Sequence, residues 1–128
     1  DHEDSFVASY YAHETQLKNV AGRLRAAAWG PDVRFSERSF VGFDVTFAKM
    51  VSDAFAKTDP LEREMDLDKA RFWLVDELAG TCEDSIAAVY AFTVKLMICC
   101  RWNRLSEKAG NATVLQVIND NDPAFRQE

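Results

Sequence analysis

The chain has 128 residues, of which 48% are hydrophobic and 28% charged, with a net charge of −6. That is about one domain of chain with an ordinary globular balance, which excludes a disordered protein. The acidic balance argues against binding a phosphate backbone. Three cysteines, two of them adjacent, argue against a secreted disulfide scaffold and fit a reducing cytoplasm.

Five glycines and three prolines are few breakers, so the chain reads as a series of helices. It starts at Asp1 rather than Met and reads as a processed or trimmed product. Its acidic first residues show no signal-peptide pattern. The first helix is predicted from about Asp4 or Ser5 to Ala28. Phe6, Tyr10, His13, Leu17, Val20, Leu24 and Ala27 recur at intervals of four and three, one face of a helix. Gly30 and Pro31 end it.

The next stretch supports two periods. Phe43, Val45 and Phe47 alternate like a strand, but Phe40, Phe43, Phe47, Met50, Val51, Ala54 and Phe55 fit a helix over a longer window. The longer pattern predicts a helix from about Ser39 to Lys57, with a short extended piece at Val33 to Phe35. Asp59 then caps a third helix, with Pro60 in its first turn and Gly80 after its end. Asp66 or Asp68 is a point where that helix could break and restart.

Thr81 is expected to cap the longest helix, about residues 82–108, closed by Gly110. The run from Ile86 to Cys100 is apolar on nearly every side but contains Thr93 and Lys95. It is too short for a membrane span, which needs roughly 20 apolar residues. It is expected to be the central helix, surrounded by the others. A short helix at Thr113 to Asn119 follows, then a turn in which Asp122 and Pro123 start a last helical turn. The expected fold is all-α, a single-domain compact bundle of four main helices plus a short C-terminal one.

Little in this pattern advertises chemistry. Thiolate metal sites want cysteines two to four residues apart and repeated, whereas Cys99 and Cys100 are neighbours, so they are expected to fill the core as small hydrophobes. His13 sits on the apolar seam of the first helix and reads as a polar core residue whose ring nitrogens find a carbonyl or a carboxylate. Arg101 and Arg104 flank Trp102 at what reads as a polar helix end. Glycine-rich phosphate loops, Gly-x-Ser-x-Gly and Glu-x-x-His are all absent. The start of a calcium loop at Asp120 to Asp122 lacks its glycine and its closing glutamate. No cofactor and no metal ligands are assigned.

The charge is uneven. Between Asp59 and Asp84, nine acidic residues against Arg63, Lys69 and Arg71 leave −6, while the rest holds twelve of each sign. Glu62, Glu64, Asp66, Asp68, Asp76, Glu77, Glu83 and Asp84 are therefore the candidate docking face, suited to a basic protein partner. The expected function is a small, cytoplasmic, non-enzymatic interaction or regulatory module. It binds protein rather than nucleic acid or membrane, and it self-associates as a homodimer through the first or the long fourth helix. The competing classes are a metal-dependent hydrolase using Asp76, Glu77, Glu83 and Asp84, and an acidic inhibitor of a nucleic-acid-binding protein.

Overall fold

A computed structural model of the chain describes residues 2–105 and 107–121. Its five helices are α1 (His2–Trp29), α2 (Val45–Phe55), α3 (Pro60–Ala79), α4 (Ile86–Arg104) and α5 (Glu107–Asn121). No strand occurs among the described residues. The all-α expectation holds. The chain divides into two compact units, residues 1–95 and 96–128, and α4 runs through the division as one continuous helix.

In the first unit, α1, α2 and α3 pack together. Their shared core is Leu17, Val20, Phe47, Val51, Ala54, Leu67, Ala70 and Leu74. The apolar spacing of each helix explains the choice, because Phe47, Val51 and Ala54 lie four and three apart and so share one line. Leu24 and Ala27, the last members of the α1 seam, are exposed instead. At 1.5 Å per residue α1 is about 42 Å long and α3 about 30 Å, so α3 does not cover its whole length.

Two helix starts differ from expectation. The α2 helix begins at Val45, not Ser39, and its cap is Asp44, whose Oδ1 accepts from the Phe47 N–H at 2.9 Å. Residues 33–43 are a strap without regular structure, and within it Gly42 has φ +79°, a left-handed conformation that favours glycine. The α4 helix begins at Ile86, not at residue 82. Ser85 caps it, its Oγ accepting from the Ala88 N–H at 3.1 Å. By contrast α3 starts and stops where its signals lie. Asp59 Oδ1 accepts from the Leu61 N–H, and Gly80 at φ +70° closes the helix. It passes Asp66 and Asp68 unbroken.

The largest correction concerns α4, which is not surrounded. Its inner line, Ala87, Ala91 and Val94 with Tyr90, packs against Phe6 of α1 and Val75 of α3. Its outer line, with Val89, Phe92 and Leu96, is exposed. It also stops at Arg104 rather than residue 108. Gly110 then lies inside α5, which is longer than the expected 113–119. The expected turn at Asp122 and Pro123 lies outside the described residues. No helix among the described residues is long and apolar enough to cross a membrane.

Candidate functional site

Three polar side chains on α1, each three residues after the last, hold the strap. Asn19 donates through Nδ2 to the Arg38 carbonyl at 2.8 Å, and its Oδ1 accepts from the Arg38 N–H at 3.0 Å. Gln16 does the same to Asp44, donating at 2.8 Å and accepting at 3.1 Å. Each amide thus takes both backbone groups of one residue, as a neighbouring β-strand would. Both side chains are buried. The third is His13, with Nδ1 2.7 Å from the Ser9 carbonyl and Nε2 3.1 Å from Asp44 Oδ2. His13 is half-buried there rather than in the core. A neutral ring donates through one nitrogen only, so both contacts are hydrogen bonds at once only in the imidazolium. Further along, the Phe35 ring lies over Gly22, within 2.3 Å of where a Cβ would sit.

Between α1 and α3 lies a charged cluster. Arg71 donates through Nε to Glu14 and through Nη1 to Asp68, each at 2.8 Å. Burial works against the charge on Arg71, but the hydrogen bonds and charges of Glu14 and Asp68 outweigh it and raise its pKa above the ordinary value. Burial, then the negative charge of Glu14, push the Tyr10 phenol up to about 12. The cluster joins α1 to α3.

That cluster also breaks the expected acidic face, because Asp68 is 4% exposed and faces inward. Asp66 is half-buried and lies between Lys57 and Lys69, at 4.0 and 3.6 Å. Asp76 pairs with Lys95 of α4. Glu62, Glu64 and Glu77 are exposed on α3, and Glu83 and Asp84 are exposed in the turn before α4. On α3, Glu62, Asp66, Asp76 and Glu77 share one side by helical spacing, and Glu64 and Asp68 lie on another. Among the described residues no group of three His, Cys, Asp or Glu converges to hold a metal ion.

The sequence offers the fourth helix as one of two pairing surfaces but does not single out the residues of its exposed line. Val89, Phe92 and Leu96 are 55%, 67% and 51% exposed, at intervals of three and four. Thr93, Met97, Cys99 and Cys100 are exposed as well. The two cysteines are thus surface thiols, not core filling. From Val89 to Cys100 none of these exposed side chains is charged, and Lys95 points to the other side, where it meets Asp76.

One protein-family model matches residues 41–122, well over half of the chain. The chain belongs to the family described as Protein of unknown function (DUF2764). The matched stretch takes in Gly42, the α2 cap Asp44 and helices α2 to α5, hence the whole α4 strip. Most of the strap and its three holders on α1 lie before it. No curated protein and no solved structure matches the chain.

Proposed function

We propose that this member of the family is a cytoplasmic, non-enzymatic interaction module that pairs with a second copy of itself through the outer face of α4. The observation that carries this reading is the apolar line that α4 leaves exposed. The line turned inward holds Ala87, Tyr90, Ala91, Val94 and Ile98, and the line turned to solvent is apolar as well, with Val89, Phe92, Leu96 and Met97. Each large apolar side chain left in water forgoes roughly 2 kcal/mol that burial supplies.

Charge selects the occupant. A two-fold pairing sets the same surface against itself, and any net charge on it opposes association. The α4 strip is uncharged, while the −6 of residues 59–84 lies on α3 and in the turn before α4. Self-pairing through the strip therefore meets little local repulsion, and the exposed acids of α3 stay free for a basic protein. Three free, exposed cysteines fit a reducing compartment.

Sedimentation at micromolar concentration tests the pairing, with Phe92→Glu as the comparison. A dimer that this substitution reduces to a 14.5 kDa monomer is expected. A wild-type protein that is monomeric throughout contradicts the reading. A dimer that forms only at high salt places the acidic segment in the interface and contradicts the assignment to α4.

A further inference from the structure

Between the C-terminal half of α1, the end of α2 and the start of α3 lies a cleft of about 450 Å³. That is within the range of small-ligand sites. Leu24, Ala28 and Phe55 give it apolar walls, Ser52 contributes a hydroxyl, and Arg25 and Arg63 border it. Arg63 stacks its guanidinium over Phe55, 5.4 Å from the ring centroid, and donates through Nη2 to the Lys57 carbonyl at 3.0 Å. Its Nε–H is buried and meets no acceptor among the described residues.

Arg23, Lys49, Lys57, Lys69, Arg71 and Lys95 each reach a carboxylate. Among the described residues Arg25 and Arg63 reach none, as is also true of Lys18, Arg34, Arg38 and Arg104, but only Arg25 and Arg63 border this cleft, and only Arg63 has a buried N–H without an acceptor. In a chain with six more acids than bases, two guanidiniums beside one apolar cleft remain without an anion. The end of α2 presents the negative end of a helix dipole there, worth roughly half a charge. Its last carbonyls already accept from Ala56 and Lys57. Two full positive charges outweigh it.

We propose that the cleft binds a carboxylate carried on an apolar body. The carboxylate lies between Arg25 and Arg63, where guanidinium and carboxylate match in geometry as well as charge. The apolar part lies against Leu24, Ala28 and Phe55. This site is independent of the α4 strip, and its test does not depend on self-association.

An amide NMR titration of the full chain with octanoate, 4-phenylbutyrate and octanol decides the matter. Saturable shifts centred on Leu24, Phe55 and Arg63 are expected with the two carboxylates. Octanol should bind at least about tenfold more weakly, as expected when a charged hydrogen bond is missing. Arg25→Gln, at an exposed side chain, should weaken both carboxylates by a similar factor without altering the rest of the spectrum. A parallel titration with a leucine-ended tetrapeptide, free and amidated, distinguishes a free acid from a peptide terminus as the source. Octanol binding as well as octanoate, or Arg25→Gln leaving affinity unchanged, overturns the proposal, as do shifts that never saturate.

Discussion

Phe47 and Phe92 are the same residue, each in the first half of its helix, and they meet opposite fates. Phe47 is fully buried and Phe92 is 67% exposed. The helices around them explain the difference. The apolar residues of α2 fall on one line, and α1 and α3 close over that line. Those of α4 fall on two lines, and only the one with Ala87, Tyr90, Ala91 and Val94 has neighbours to cover it. A helix that is apolar all round is therefore not necessarily central. It can be a wall, packed inward along one line and leaving large apolar side chains exposed along the other.

The sharpest way to break this comparison is to truncate both rings. Phe47→Ala should cost about 3–5 kcal/mol, the loss for a buried aromatic that leaves a cavity. Phe92→Ala should change the stability of the dilute protein by less than about 0.5 kcal/mol, as at other exposed positions. Guanidinium unfolding of the two variants measures both. Similar costs would mean that α4 is covered after all.

The ionic cluster sharpens the account of the first unit. Replacing Arg71 by Met removes the counter-charge of two largely buried carboxylates, Glu14 and Asp68. The cost should be about 3 kcal/mol. If the unfolding midpoint barely moves, the cluster does not tie α1 to α3.

Tyr10 gives the same region a signature in pH. Its phenol titrates at about 12 in the fold against 10.0 for an ordinary tyrosine. Between those values the folded state holds the proton and the unfolded state loses it. The stabilising contribution is fully present below pH 10 and is lost as the pH rises toward 12. Unfolding across that window should show stability falling with pH, and Tyr10→Phe should reduce the slope. An equal slope in the variant would place the alkaline transition elsewhere.

Much of this architecture was legible from local chemistry. Asp59, Pro60 and Gly80 bound α3 because capping depends on adjacent residues only. The seam from Phe6 to Val20 located the buried face of α1 for the same reason. The strap was not legible, because Gln16 and Asn19 look like ordinary surface amides until residues 19 and 28 positions away reach them. The backbone they hold extended is what delays α2 to Val45, against the helical spacing of Phe40 and Phe43. Gly42, isolated in the sequence, gains meaning only from the turn it makes there. Nor does periodicity say which side of α4 faces in when both sides are apolar, and the misplacing of Cys99 and Cys100 follows from that. The acidic cluster between Asp59 and Asp84 was visible as composition. That Asp68 belongs to the interior and Asp76 to an ion pair depends on Arg71, Glu14 and Lys95, which are set by tertiary packing.

The thiols offer the most direct test of the claim that the α4 face pairs with its copy. Cys99 and Cys100 border the strip and Cys82 lies in the turn before α4, all three exposed in the single chain. Their rates of alkylation can be read peptide by peptide over a range of protein concentrations. Cys99 and Cys100 should react readily in dilute protein and slow as concentration rises into the micromolar range, while Cys82 keeps one rate throughout. Rates at Cys99 and Cys100 that stay fast at every concentration would contradict the pairing.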